Sequence, residues 1–216
     1  SASLIRSKLF YTLGSLGNDA ETLKHAAAIA AQVLEDPEQV SPELAAQSLM
    51  LAALEGDAKL HEGLVQVLGT TRSPALREAV VRALAAFRNP ELLGRTYALL
   101  LNGTLRAQDY YPLPRSAARG EATQATFWTW YVKHEQDLIR LLGARMAGSL
   151  PWVAAGFCSE AGIEAARQHF GNLDRLGPGA QTNLDQALET ATRCLNLRQM
   201  VEPTLKDQVG ALTPTR

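Results

Sequence analysis

The chain has 216 residues, 46% of them hydrophobic and 20% charged, with a formal net charge of -1. Ala and Leu contribute 34 residues each, against 10 Val and 4 Ile, so strong helix formers displace the β-branched residues that strands favour. No basic excess exists to neutralise phosphates, which excludes a nucleic-acid partner. No apolar run approaches the roughly 18 residues of a membrane span. No charged-then-apolar leader is visible, so a cytoplasmic location is expected. The expectation is an all-α protein of one domain, 1–216, with no membrane partner.

The chain opens Ser1-Ala2-Ser3-Leu4-Ile5-Arg6 and passes almost at once into a helical pattern, as a processed chain or a piece of a longer one would. Residues 3–14 and 19–35 read as two helices, with Gly14 and Gly17 marking the turn and Asp36-Pro37 ending the second. A repeat follows. Ser41-Pro42, Ser73-Pro74 and Asn89-Pro90 each place a capping side chain before a Pro in the first helical position. Asp57 fills the remaining beat, so the caps at 41, 57, 73 and 89 are spaced by 16. Three residues after each cap stands a leucine: Leu44, Leu60, Leu76 and Leu92. Eight after it come Leu49, Val65, Val81 and Tyr97, and eleven after it Ala52, Leu68, Leu84 and Leu100. These offsets share one helical face. Helices this short bury too little alone, so the pattern predicts a HEAT- or armadillo-like superhelix of antiparallel helix pairs, with the four leucines buried.

Residues 103–120 break the period and read as a long loop with Pro112 and Pro114 in its middle. Its role is either a plug whose tyrosines pack over the repeat or a contact with a partner domain or substrate. Beyond it, 121–133, 135–147, 150–157, 159–170, 180–196 and 198–210 read as helices, and Thr213 to Arg216 as a frayed end. Phe127, Trp128, Trp130 and Tyr131 form either a core wedge with an exposed residue or a ligand cage. Cys158 and Cys194 are too few for a disulfide framework and are expected as two buried thiols, with a disulfide as the alternative.

The sequence carries no complete catalytic or metal-binding motif. His61-Glu62 and His134-Glu135 start like a zinc-peptidase helix, but that motif needs a second His one turn on. Val65 and Leu138 stand there instead, and both pairs are expected as exposed helix polar residues. Neither a nucleophile elbow nor a Gly-rich phosphate loop is present in the sequence. From the residues alone, no catalytic group, metal site or cofactor is expected in this chain.

Several stretches, taken in order, carry a resemblance. They are Leu105-Arg106-Ala107-Gln108-Asp109, the aromatic run Phe127-Trp128-Thr129-Trp130-Tyr131, Leu150-Pro151, Phe157-Cys158-Ser159-Glu160, Phe170, and Leu184-Asp185-Gln186-Ala187-Leu188-Glu189. Their order and spacing resemble the C-terminal helical domain of the aminopeptidase N family of zinc peptidases, which includes the puromycin-sensitive and endoplasmic-reticulum aminopeptidases. The resemblance covers about 90–210. The family's zinc helix, third ligand and Gly-rich amine-binding motif have no match here, so no catalytic residue is carried over. The resemblance implies a non-catalytic domain that closes over a zinc-bearing catalytic domain of the same parent chain and helps enclose peptide substrates. A freestanding HEAT-like adaptor is the rival. Under the resemblance, Arg115, Arg119, Lys133, Tyr110 and Tyr111 are candidates to line the substrate chamber or a domain interface. Arg106, Gln108 and Asp109 are candidates for a structural anchor, with Arg106 pairing Asp109 or tying down a neighbouring helix.

Overall fold

The structure is a computed structural model that describes the backbone of residues 2–37 and 39–212 and the side chains of 5–37 and 39–205. It is all-α: among the described residues there are helices and turns and no strand. The expectations for Leu4 and for Thr213 to Arg216 lie outside the residues whose side chains are described. The chain gathers into two compact units, Ser1–Ala117 and Ala118–Arg216.

Unit 1 contains α1 (Ala2–Ser15), α2 (Ala20–Glu35), α3 (Pro42–Leu54), α4 (Ala58–Thr70), α5 (Pro74–Leu84), α6 (Pro90–Leu101) and α7 (Pro112–Ala117). The four 16-residue beats are the four helices α3 to α6, each starting one residue after its expected cap. Asp57 accepts a hydrogen bond from the Leu60 N–H, Ser73 from Leu76, and Asn89 from both Glu91 and Leu92. Each bond satisfies a helix-start donor that would otherwise be orphaned. Ser41 holds the cap position without a side-chain bond. Helix α3 packs on α1, α2 and α5, and α4 packs on α2 and α5. Helices α3 and α4 thus each pack on one sequence neighbour and on a helix two places along, as stacked repeats do.

The offset-three leucines do not behave alike. Leu76 and Leu92 are buried and Leu60 is half-buried, but Leu44 is 42% exposed, against expectation. In α3 the buried set is Ala45, Ser48, Leu49, Met50, Leu51 and Ala53, so this helix is rotated relative to the others. The reason lies in its neighbours. Helix α3 is packed by α1 and α2 as well as α5, and its buried arc is drawn toward that wider contact.

Residues 103–120 are more ordered than a long loop. A 3-10 turn occupies Ala107–Tyr110 and α7 follows directly. Pro112 opens α7 at the position where a missing N–H costs nothing.

Unit 2 contains α8 (Glu121–Ala147), a 3-10 stretch Leu150–Gly156, α9 (Glu160–His169), a 3-10 turn Asp174–Leu176 and α10 (Ala180–Leu212). Two expected helix breaks are absent. Helix α8 runs through His134 without interruption, since nothing there opposes a helix, and breaks at Gly143 instead (φ 70, ψ 166). That conformation is essentially open to glycine alone. Helix α10 runs through 197 and keeps Pro203 inside it. Phe127, Tyr131, Leu138, Phe170, Leu176, Leu184, Ala187 and Ala191 are buried and supply this unit's core. Gly148 is required by proximity, because a Cβ there would overlap the Pro178 carbonyl oxygen.

Candidate functional site

The candidate anchor is built around Asp109 in unit 1. Its carboxylate accepts the Arg106 backbone N–H at 2.9 Å, while its own N–H donates to the Arg106 carbonyl at 2.8 Å. This closes the 3-10 turn. The guanidinium that pairs with Asp109 belongs to Arg77 in α5, at 2.7 Å, and not to Arg106. Arg77 also donates to the carbonyls of Thr104 at 3.3 Å and Leu68 at 3.4 Å. One fixed fork of donors thus fastens the end of α4, the 102–106 connection and the turn. The side chains of Arg77 and Asp109 are only 16% and 12% exposed, so the pair is shielded from full solvent screening. The Arg106 side chain is exposed, as is Gln108.

The candidate lining residues are placed one by one. Arg115 is exposed in the last turn of α7, Arg119 is exposed just before α8, and Lys133 is exposed on α8. Tyr111 is 46% exposed, but Tyr110 is 2% exposed and packs its ring edge-on to Tyr111 at 5.9 Å. Burial takes Tyr110 out of the set that could line a chamber. Leu105 and Leu113 on either side of it in sequence are buried too.

Unit 2 holds a polar centre that the sequence reading missed. Glu135 is buried, contrary to the expectation of an exposed helix residue. Its carboxylate accepts hydrogen bonds from Tyr131 Oη at 2.9 Å, His169 Nε2 at 2.9 Å, and Arg175 Nε and Nη2 at 2.7 and 3.0 Å. Burial by itself raises the pKa of this carboxyl. The hydrogen bonds from His169, Arg175 and Tyr131, with the charge of His169, outweigh that and hold it at about 2. The same Glu135 bond pushes the Arg175 pKa up. Around it, Trp128 meets His169 edge-on at 5.3 Å and Phe157 at 5.1 Å, while Phe127 and Tyr131 are fully buried. The aromatic run is a core wedge. A signal was present in the sequence: Phe127, Tyr131, Glu135, Leu138 and Leu142 form one helical stripe. A carboxylate on an apolar stripe must be buried and paired.

His61 is likewise buried, against expectation, on the α4 stripe with Leu64 and Leu68. Thr96 donates its hydroxyl hydrogen to the Leu84 carbonyl at 3.1 Å and lies 2.9 Å from His61 Nε2. The Thr96 oxygen therefore accepts from His61 Nε2, which carries a hydrogen. Burial, seconded by the Arg95 cation, lowers the His61 pKa.

The expectation of two buried thiols is overturned: Cys158 and Cys194 form a disulfide, with Cα atoms 5.2 Å apart. They are 36 residues apart in sequence, on different elements, so no local pattern announces the pairing. Beside the bond runs an apolar groove of about 660 Å3 lined by Leu197, Val201 and Leu205. Among the described residues, no three His, Cys, Asp or Glu side chains gather to hold a metal ion. Among the described residues, no helix is long and apolar enough to cross a membrane.

Comparison with known proteins finds matches to this chain. Residues 1–193 match the family described as the ERAP1-like C-terminal domain. The chain is 30% identical over 141 residues to the mitochondrial Aminopeptidase 2 of Saccharomyces cerevisiae, covering 63% of this chain and 14% of that protein. It is 26% identical over 194 residues to Aminopeptidase 2 of Candida albicans, covering 87% of this chain and 21% of that protein. The chain therefore spans about a fifth or less of the relatives it matches.

Proposed function

Since this chain belongs to the family of ERAP1-like C-terminal domains, we propose that it is the non-catalytic C-terminal domain of a zinc aminopeptidase. In this reading it closes over the catalytic domain of the same parent chain and helps enclose peptide substrates. The observation that carries the reading is a family match over 1–193 in a chain that spans 14% and 21% of two relatives called aminopeptidases. The described residues do not fit a catalytic zinc, which needs three converging protein ligands. Zinc and hydrolysis accordingly belong to the catalytic domain of the parent.

Within the domain, the Asp109 and Arg77 pair is the positioning device, and the exposed cations are the substrate-facing groups. Arg115, Arg119 and Lys133 present positive charge to solvent, and a guanidinium or ammonium group attracts the carboxylate end of a peptide. The exposed stripe Ile5, Leu9 and Leu13 of α1, continued by Leu16, supports docking against other parts of the parent chain. A separate adaptor would use the same stripe for a partner protein.

Two measurements test the reading. The purified chain should bind no stoichiometric zinc and turn over no aminoacyl amide; zinc with turnover overturns it. In the full-length parent, Arg115→Ala should raise KM for longer peptides and leave kcat for a single aminoacyl amide unchanged. A KM unchanged at every peptide length, with Arg119→Ala and Lys133→Ala equally silent, removes the substrate-enclosing role.

A further inference from the structure

Helix α10 has two halves with different environments. Ala180, Leu184, Ala187 and Ala191 are buried and seat its first half on the Leu150–Gly156 stretch. From 192 to 205 no side chain is buried. Leu197, Met200 and Leu205 are 60%, 72% and 51% exposed. Cys194 stands at the boundary and is itself exposed. Its partner Cys158 lies one residue before Ser159, whose hydroxyl caps the start of α9 at the Gly162 N–H. Two further ties cross this boundary among the described residues, and both face solvent. Arg198 is 3.5 Å from Glu121, and Gln199 donates to Glu160 at 3.5 Å. Exposed polar pairs of that kind contribute little.

We propose that the Cys158–Cys194 disulfide is a redox-set clip that holds the outer half of α10 against the start of α9 and shapes the apolar groove beside it. The rest of unit 2 does not depend on it, because Glu135, His169 and Arg175 fasten α8 to the 169–175 segment from the other side of α9. The exchange is a two-electron reduction by a small thiol. A thiolate attacks the sulfur of the exposed residue Cys194, the sulfur–sulfur bond breaks, and the Cys158 thiolate leaves and takes up a proton. A second thiol attacks the resulting mixed disulfide, leaves as the oxidised small disulfide, and Cys194 becomes a thiol. Accessibility of one sulfur is what such an exchange requires. The state of the clip then follows the compartment: closed where disulfides persist, open where glutathione keeps thiols reduced.

The test is amide hydrogen exchange on the chain, air-oxidised and then equilibrated with reduced glutathione. On reduction, amides 195–205 should exchange at least about tenfold faster while amides 127–142 keep their protection, since local opening is independent of the core when few buried contacts join them. The double variant Cys158→Ser with Cys194→Ser should reproduce the reduced pattern and ignore glutathione. Three results overturn the proposal: two free thiols in the oxidised preparation, equal exchange at 195–205 in both states, or loss of protection across 127–142 on reduction. The last would make the disulfide a general staple of unit 2. None of these depends on aminopeptidase activity.

Discussion

The two units reach a stable core by different routes. Unit 1 repeats one device: a cap, a helix of about three turns and an apolar face, four times at an interval of 16 residues. Its core is apolar apart from Ser48, His61 and Thr96. Unit 2 has no period. It is held by a buried carboxylate with donors from three residues, a covalent clip and a glycine kink. The difference teaches what each kind of core risks. In the repeat, each helix contributes a modest share and its neighbours can compensate. In unit 2, single groups join elements far apart in sequence: 34 residues separate Glu135 from His169, and 40 separate it from Arg175.

The largest expected effect follows from that. Glu135→Ala leaves the Arg175 guanidinium and the Tyr131 hydroxyl facing a cavity with no carboxylate. Breaking a buried pair by removing one partner costs about 3–5 kcal/mol. Chemical denaturation should show this loss, and hydrogen exchange should confine it to 118–212. An unchanged midpoint, or a loss spread equally over both units, would mean the two cores are not distinct. Restoring packing without charge is a sharper version: Glu135→Gln keeps the shape and the hydrogen bond from Tyr131, so it should cost less than Glu135→Ala.

Next comes a contrast inside unit 1. Leu92 is buried and Leu44 is exposed, though both occupy the same place in the repeat. Leu92→Ala should cost about 2–5 kcal/mol through lost transfer energy and a cavity. Leu44→Ala should fall within roughly 0.5 kcal/mol of the parent, as surface changes do. Equal losses would show that the repeat register, rather than the packing of α1 and α2 on α3, decides burial.

These cases also mark what was legible in the sequence. Caps and turns act within four residues, so Asp57, Ser73 and Asn89 could be read directly, as could the boundaries of α4 to α6. The family resemblance rested on Leu105 to Asp109 and on the Phe157 to Glu160 turn, and the match over 1–193 agrees with it. The anchor was read only in part. Asp109 lies at its centre, but the cation is Arg77, 32 residues away, and no local rule connects them. The disulfide stayed hidden for the same reason. Glu135 and His61 were a different failure. Each sits on the apolar stripe of its own helix, and the stripe marks them as buried without any knowledge of their partners.

Acid separates the units by the pH at which each loses support, because both groups titrate with the same sign but in different windows. His61 carries fewer protons folded than unfolded, because burial lowers its pKa from 6.5. The stability tied to it is present above pH 6.5 and is lost as pH falls through the lowered folded value. Glu135 is held at about 2 against an ordinary 4.5, so its contribution is present above pH 4.5 and is lost as pH falls toward 2. Between 6.5 and 4.5, then, His61 weakens unit 1 while Glu135 still supports unit 2. Exchange rates measured at pH 7 and pH 5, corrected for intrinsic rates, should rise more in α4 and α6 than in α8. His61→Gln should flatten the difference; if the α4 and α6 rise persists in that variant, another group causes it.

The smallest expected effect tests whether the four beats of the repeat are equivalent at their starts. Asn89 accepts from two backbone donors, Glu91 at 2.8 Å and Leu92 at 3.3 Å. Ser41 occupies the same place before Pro42 and accepts none. A cap stabilises by satisfying a donor that the helix itself cannot, so the two positions differ in energy although they match in sequence. Asn89→Ala should cost about 1 kcal/mol, the usual loss when a bonded cap is removed. Ser41→Ala should cost no more than a few tenths of that, because Pro42 already fixes the first helical residue and no side-chain bond is lost. A thermal melt resolves the difference if both variants are measured against the parent in one buffer at neutral pH, where His61 stays neutral. Equal losses at the two caps would mean that Ser41 forms its bond in solution, and that all four helices of the repeat start in the same way.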